Sequence, residues 1–366
     1  MTVTTIVGAR PQFVKAAPVS RALAARGVAE TLVHTGQHYD PQLSDVFFAE
    51  LRLPKPHHHL GIGSGTHAAQ TGRMLAAIEA VLVAERPDWA LVYGDTNSTL
   101  AGALAAAKLG IPVAHVEAGL RSFNRTMPEE INRVVADHLA DLLLCPTRAA
   151  VRNLAAEGIE RGVYLVGDVM YDSVLHNLDL AEQAPSPLEA LGVAPRGYYL
   201  ATLHRAANTD DPARLACLLD LLAGLDAPVL LPLHPRTAKA IASAGLEARR
   251  GALRPISPAS YLEMLRLERH ARAILTDSGG VQKEAYFLAV PCITLRAETE
   301  WVETVEAGWN TLVDADATRF ASATDALARW DGQHSPFGAG GGRPDLYGDG
   351  HAAEAIVQTL LDTSAG

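Results

Sequence analysis

The sequence has few cysteines, no long apolar run and no surplus of positive charge. Its three cysteines, Cys145, Cys217 and Cys292, are far apart and form no CxxC or Cys/His ligand spacing. This predicts a reduced, cytoplasmic setting and no metal site. No apolar stretch reaches the ~18 residues of a membrane span. The opening MTVTTIVGARPQ lacks the basic lead and apolar core of a secretory signal. A formal net charge of -10 argues against a general nucleic-acid binder, which needs a basic face. It leaves room for one small phosphate ligand held by a few arginines. GxGxxG is missing after the first apolar run, where IVGARPQ carries a single glycine. A tightly bound NAD is therefore not expected, and no cofactor is.

What is present is long and mostly apolar. At 366 residues, 48% hydrophobic and 20% charged, the chain predicts two compact domains rather than one. Short β-rich runs alternate with Ala/Leu-rich helical stretches. The strand candidates are TVTTIVG, ETLVHTG, WALVYGD, IPVAHVE, DLLLCPT and VYLVGD, then GYYLATLH, PVLLPLHP, ALRPIS, RAILTDS, PCITLR and NTLVDAD. This rhythm predicts an α/β fold with parallel sheets buried on both faces. The proline-rich stretch 172–197 reads as a linker, and the glycine run in 335–350 as a surface loop before a last helix. The expected domains are residues 1–172 and 195–335, with 345–366 as a terminal helix.

Polar residues gather just past the apolar runs. Arg10, Gln37, His38, Asp95 and Glu117 do so in the first half, and Asp168, His204, His234, Ser278 and Arg296 in the second. Ligands of open parallel sheets bind outside the carboxyl ends of the strands, so two such sheets facing a cleft would bring both sets to one ligand. In AILTDSGGVQKEA (273–285), Ser278, Gly279 and Gly280 sit between a strand and a helix, which suits a phosphate on backbone N–H groups. A plain serine N-cap explains them equally well. Glu284 lies about a turn and a half further on, within reach of ribose hydroxyls. Arg10 follows a buried strand and is a good anion contact, whereas Lys15 alone reads as a surface cation. His204 and Arg205 follow another strand; beside a phosphate loop they suit a diphosphate. The tract His57, His58, His59 reads as a solvated loop, and GIGSG (61–65) as a cap for the helix after Thr66.

The segment HVEAGLRSFNRTMPEEINR (115–133) crowds Glu117, Glu129 and Glu130 with Arg121, Arg125 and Arg133. It reads either as a solvated loop before a charged helix or as a site for an anionic substrate. Pro128 favours a helix start beside Glu129, and Glu130 and Arg133, three apart, can pair on that helix.

Taken in order, GARPQFVKAAPV, TGQHYD, VYGDTNSTLAGALAA, the 115–133 segment, HRAAN, LHP, TDSGGVQKEA, LRAETEW and YGDG resemble the non-hydrolysing UDP-N-acetylglucosamine 2-epimerases. The resemblance spans nearly the whole chain. It implies a glycosyltransferase-B-like fold of two Rossmann-like domains, a last helix crossing back to the first domain, a homodimer, a UDP-sugar substrate and no redox cofactor. It implies an active-site set of Arg10, Lys15, Asp95, Glu117, Glu129 and His204. For the nucleotide it implies Ser278, Gly279, Gly280 and Glu284, with Arg205 and Arg296 nearby and Tyr261 near uracil. Three departures stand out: Ala207 where HRxEN is usual, Ala297 where an acid is frequent, and Asp45 near a position that is glutamine in substrate-activated members.

Such chemistry asks for cations on a departing diphosphate, carboxylates near a ring carbon that gains positive charge, and proton-transfer groups toward both faces. Asp95, Glu117 and Glu129 meet that count, with the loop of Arg121 and Arg125 folding over the sugar. Which carboxylate is acid and which is base stays open. The resembling branch includes enzymes for UDP-2,3-diacetamido-2,3-dideoxyglucuronate, whose extra carboxylate Arg121 or Arg125 would suit. Those arginines can equally serve phosphates or pair with neighbouring glutamates. The acetamido sugar is the first expectation and the uronate the second; a UDP-sugar glycosyltransferase is the rival class.

Overall fold

A computed structural model describes residues 1–37, 53–248, 250–338 and 341–364; His38 and Asp45 lie outside them. The chain divides into two compact units, Met1–Leu175 with Asp345–Gly366, and His176–Pro344.

The first unit holds seven parallel strands: β1 (Thr2–Val7), β2 (Ala29–His34), β3 (His58–His59), β4 (Trp89–Tyr93), β5 (Val113–Val116), β6 (Leu142–Cys145) and β7 (Val163–Leu165). Their order is β3-β2-β1-β4-β5-β6-β7. The core joins Ile6, Val33, Ala90, Val92 and Val113 to Met74, Ile78 and Leu82 of the helix His67–Glu85. Because β4 and β5 are buried at every residue, they read as unbroken apolar runs.

The second unit holds six parallel strands: β8 (Tyr199–Thr202), β9 (Val229–Pro232), β10 (Leu253–Ile256), β11 (Ala273–Thr276), β12 (Cys292–Thr294) and β13 (Asn310–Leu312). Their order is β10-β9-β8-β11-β12-β13. Leu215, Leu218, Leu219 and Leu222 of the helix Pro212–Ala223 pack on Leu231, Leu275 and Ile293.

In each sheet the chain works outward on one side of its first strand, then restarts on the other side. The switch point lies between β1 and β4 in the first unit and between β8 and β11 in the second. A crevice for ligands forms at the carboxyl ends of such a pair. The close seating of β1 depends on Gln12, whose Oε1 accepts from the Gly8 and Ala9 N–H groups at 2.8 and 3.0 Å and whose Nε2 donates to the Tyr93 carbonyl at 2.9 Å.

Two expectations change. The stretch 172–197 does hold the division between the units, after Leu175, but it is helical: it carries part of the helix Val169–Glu182 and all of the helix Pro187–Leu191. Ser186 accepts from the Leu188 N–H at 3.4 Å, Pro187 opens the helix, and Gly192 closes it at φ 64°. These residues punctuate a helix rather than a spacer. The histidine tract is not a loop either, since His58 and His59 form edge strand β3 beside Val33 and His34.

The last helix, Ala352–Ser364, packs on the helix Arg10–Ala25. Its first N–H groups, at Ala352 and Ala353, donate to the Asp172 carboxylate at 3.1 and 2.7 Å. Trp89 Nε1 donates to Ser364 Oγ at 2.8 Å at the other end.

Candidate active site

At the switch point of the first unit, β4 ends at Tyr93, Gly94 turns at φ 61°, and Asp95 follows. A Cβ on Gly94 would lie 3.1 Å from Glu117 Oε2 and 3.4 Å from Lys15 Nζ. Glycine therefore gives this turn its left-handed φ and leaves room for the charges beside it. Lys15, on the helix Arg10–Ala25, pairs with Glu117 just past β5. Its side chain is only 14% exposed, so it is not the surface cation that the sequence suggests. Burial pulls the Lys15 ammonium down, but Glu117, Asp95 and Asp168 outweigh it and hold it above the ordinary lysine value. Lys15 stays charged, and three carboxylates face it.

Glu117 sits at φ 71°, a left-handed conformation that costs a non-glycine residue about 1 kcal/mol or more. Its N–H donates to the Leu144 carbonyl at 3.1 Å, which fixes that conformation at the strand end. Asp95 pairs with Arg133, and Asn132 Nδ2 donates to the Asp95 carbonyl at 2.9 Å. The helix Pro128–Leu139 thus holds Asp95 from two consecutive residues.

The rest of the charge in 115–133 has other work. His115 Nδ1 and Asp137 Oδ1 are 2.7 Å apart, both side chains fully buried, and His115 Nε2 lies 2.7 Å from the Gly94 carbonyl. Asp137 Oδ2 accepts from Arg121 Nη1 at 2.6 Å and from the Gly119 N–H at 3.1 Å. Arg121 also grips Glu157 through Nε and Nη2, at 2.6 and 2.8 Å. Its side chain is 1% exposed, so it does not fold over a substrate; it ties the loop down through a buried ion pair. Burial lowers the His115 imidazole, yet Asp137 and the Gly94 carbonyl reverse this and raise it. Burial raises Asp137, yet His115 and Arg121 reverse that and lower it. Glu130 accepts from the Ser122 and Phe123 N–H groups at 2.9 and 3.0 Å and lies 3.3 Å from Arg133, the expected helix pair. Arg10, Arg125 and Glu129 are exposed. Arg10 opens its helix and Glu129 lies in the first turn of the helix Pro128–Leu139. Among the described residues no ion pair or hydrogen bond brings Glu129 into the Lys15 cluster.

At the switch point of the second unit, β8 runs into His204 and Arg205, and β11 into Asp277 and Ser278. Asp277, fully buried, organises this end. It accepts from the His204 N–H at 3.1 Å, the Arg205 N–H at 3.0 Å and Asn208 Nδ2 at 3.1 Å. Its Oδ1 lies 3.4 Å from His204 Nδ1. Burial depresses the His204 imidazole, with Asp277 opposing and His234, Arg205 and Arg236 assisting. Sequence reasoning missed Asp277, whose place in TDSGG reads as turn chemistry.

Ser278 occupies the N-cap position of the helix Gly279–Phe287 but makes no side-chain capping bond. That disfavours the plain-cap reading and leaves the first N–H groups of the helix without a side-chain cap from Ser278. A Cβ on Gly279 would overlap Glu300 Oε1, while Gly280 is open, with Ser278 Oγ 3.9 Å away. Glu300 lies 3.0 Å from Arg296 and 3.9 Å from Arg205, so two cations converge on a carboxylate at this helix start. Trp301 Nε1 donates to the Gly279 carbonyl at 2.9 Å. Beside them lies a cavity of about 550 Å³ whose lining includes Arg205, Arg214, Arg296, Ala207 and Ala297. The two alanine departures therefore share one wall-set with three guanidinium groups. Glu284 is buried within the helix, and Tyr261 opens the helix Tyr261–His270 that packs against it.

A family model described as UDP-N-acetylglucosamine 2-epimerase matches residues 21–361. The chain belongs to the UDP-N-acetylglucosamine 2-epimerase family. A Methanococcus maripaludis protein named UDP-N-acetylglucosamine 2-epimerase homolog is 53% identical over 364 residues, 98% of this chain and 99% of that one. The UDP-2,3-diacetamido-2,3-dideoxy-D-glucuronate 2-epimerase of Pseudomonas aeruginosa is 50% identical, over 98% of this chain and 99% of its own. The crystal structure of Methanocaldococcus jannaschii UDP-GlcNAc 2-epimerase in complex with UDP-GlcNAc and UDP superposes with a TM-score of 0.82 at 43% identity, covering 99% of this chain and all of that one. This epimerase-family chain accordingly has the glycosyltransferase-B-like α/β fold, with one parallel sheet in each unit. No helix among the described residues is long and apolar enough to cross a membrane, and no group of three metal-ligating side chains occurs among them.

Proposed function

We propose that this chain inverts carbon 2 of UDP-N-acetylglucosamine, giving UDP-N-acetylmannosamine, by elimination and re-addition of UDP. The observation that carries this reading is the Lys15–Glu117 ion pair beside Asp95 at the β1/β4 switch point. It is an acid–base cluster where an α/β sheet presents its ligand. In the first step the carbon 1–oxygen bond breaks, the electron pair leaves with UDP, and the carbon 2 proton passes to a carboxylate. The unsaturated glycal is then protonated at carbon 2 from the other face, and UDP oxygen adds back at carbon 1. Asp95, Glu117 and Glu129 supply proton transfer and stabilise charge at the ring. Arg10 and His204 receive the diphosphate, with the Ser278–Gly280 backbone, Arg205 and Arg296. Glu284 takes the ribose and Tyr261 the uracil.

Elimination and re-addition move a proton and UDP but no hydride, so this route makes no use of nicotinamide. A glycosyltransferase would need an acceptor, and a nucleotide-sugar sensor would not need the Lys15 cluster. Incubating the pure protein with UDP-N-acetylglucosamine alone separates them: the epimer supports this reading, while acceptor-dependent transfer or no turnover contradicts it.

The uronate is a second reading, favoured by the 50% identity to the Pseudomonas aeruginosa enzyme. With Arg121 engaged by Asp137 and Glu157, exposed Arg125 is the cation that suits a carboxylate at carbon 6. Both UDP-sugars assayed at equal concentration decide it. A much higher kcat/KM for the uronate, lost on Arg125→Ala, selects the second reading.

A homodimer and a cytoplasmic setting complete the proposal. Met127 at the N-cap and Ile131 and Val135 within the helix Pro128–Leu139, four apart and 36–46% exposed, support a subunit contact. The three cysteines are unpaired, which suits a reducing compartment.

A further inference from the structure

Glu130 is the third residue of the helix Pro128–Leu139 and is 3% exposed. A glutamate there ordinarily turns back to the N–H at the start of its own helix. Here the Met127 N–H is taken by the Asn124 carbonyl at 3.0 Å, and Glu130 reaches out of the helix instead. Its Oε2 accepts from the Ser122 N–H at 2.9 Å and from the Ser122 hydroxyl at 2.8 Å, and its Oε1 accepts from the Phe123 N–H at 3.0 Å. Phe123 sits at φ 57° and is 77% exposed. Its own packing therefore does not hold this left-handed conformation, which costs about 1 kcal/mol or more; the bond to Glu130 does. Burial raises Glu130, but the three donors and Arg133 outweigh it and hold its carboxyl below the ordinary value.

The same carboxylate meets Arg133 one turn along, with Oε2 3.3 Å from Nη1, while Nη2 of that guanidinium pairs with Asp95. Arg133 is thus shared between two carboxylates. The side chains are graded in exposure, from 3% for Glu130 through 15% for Arg133 to 35% for Asp95. The buried end is fixed by three hydrogen bonds, and the accessible end is the acid–base group. An arginine held only by Asp95 would keep much of the freedom of a long side chain. A planar guanidinium gripped at Nη1 presents Nη2 in one direction. Asn132 already fixes the Asp95 backbone, so what Glu130 adds is the direction of the carboxylate.

We propose that Glu130 is a positioning residue for the epimerisation: held by the turn at Ser122 and Phe123, it aims Arg133 at Asp95 and so sets the angle at which the Asp95 carboxylate meets the sugar. The inference rests on the epimerase reading, in which Asp95 works at the ring. Glu130 touches no reacting atom, and no proton passes through it. A Glu130 that only shaped the loop, and with it the neighbouring Glu129, would not act through Arg133. The two roles therefore differ in a double-mutant cycle.

The test is steady-state turnover and UDP calorimetry for the wild type, Glu130→Gln, Arg133→Met and the double variant, using whichever of the two UDP-sugars the wild type epimerises. Glu130→Gln is expected to lower kcat about tenfold or more, the scale of a misplaced catalytic group, with UDP affinity within about twofold of the wild type. In the Arg133→Met background the same exchange is expected to change kcat by less than about twofold, because the route to Asp95 is already cut. An equal loss in both backgrounds overturns the proposal, as does a normal kcat in Glu130→Gln. Ser122→Ala, which removes the hydroxyl donor, replaces Glu130→Gln if that variant does not fold. It is expected to lower kcat about threefold, again only where Arg133 is present, and the same two results overturn the proposal. A wild type that epimerises neither UDP-sugar overturns the epimerase reading itself, and this inference with it; normal wild-type turnover with equal losses in both backgrounds overturns this inference alone.

Discussion

Both oxygens of Asp277 accept the backbone N–H of His204, each at 3.1 Å. This one buried carboxylate sets the path of the chain as it leaves β8, and so decides where the His204 imidazole and the Arg205 guanidinium point. Asp277→Asn places an amide N–H₂ among N–H donors and leaves at least one donor unmet, a loss of about 1–3 kcal/mol. The variant is expected to bind UDP about tenfold more weakly or worse, with a matching fall in unfolding free energy. Calorimetry with UDP beside urea unfolding checks it; unchanged affinity would dissociate this anchor from the nucleotide.

Asp95→Asn, Glu117→Gln and Glu129→Gln are each expected to lower kcat by roughly 100-fold or more, the usual scale for acid–base groups. UDP affinity should change far less. Lys15→Met strips Glu117 of its partner and is expected to lower kcat while shifting its pH profile upward, because an unpaired buried carboxylate holds its proton more firmly. Steady-state rates from pH 5 to 9 decide this, and a Glu117→Gln variant of near-normal turnover would remove Glu117 from the chemistry.

The His115–Asp137–Arg121 network predicts a stability effect with a defined pH window. Asp137 is depressed, so its contribution is present above ~3.9 and is lost as pH falls below that. His115 is raised, so its contribution is full below ~6.5 and is lost as pH rises through its higher native value. The stability gap between the wild type and Asp137→Asn should therefore be widest between about pH 4 and 6.5, at about 3–5 kcal/mol. Arg121→Ala should likewise cost stability without altering the preference between the two UDP-sugars. Urea unfolding across pH 4–9 measures the first; a gap independent of pH would contradict it.

Gly279→Ala forces a methyl group against Glu300 Oε1 at the start of its helix. Overpacking of this kind costs about 1–3 kcal/mol. If this helix start holds the diphosphate, as proposed, UDP affinity is expected to fall about tenfold or more. Gly280→Ala, at an open position, should be milder. The reverse ranking in a UDP titration would contradict this geometry.

Much of this was legible beforehand, for physical reasons that differ by residue. Strands such as β4, β5, β6 and β11 announce themselves because both faces are buried and the runs stay apolar. Edge strand β3 does not, since His58 and His59 carry no such pattern. Site residues placed just past strand ends could be read because a parallel sheet puts them at its carboxyl edge. Asp277 and Asp137 could not, because a buried aspartate that collects backbone N–H groups has no spacing of its own. Arg121 was legible as a cation but not as a buried one: its partners, Asp137 and Glu157, lie 16 and 36 residues away. Pro187 and Gly192 do not reveal their helix in the sequence, because helix ends and irregular spacers use the same residues.

The central claim is that UDP leaves and returns while the carbon 2 proton is exchanged. The direct measurement is turnover of UDP-N-acetylglucosamine by the pure protein in deuterated water, followed by NMR of the product. Elimination and re-addition predict UDP-N-acetylmannosamine with deuterium at carbon 2 and no dependence on added nicotinamide. A product that keeps hydrogen at carbon 2, or stoichiometric NAD in the purified protein, would contradict the account.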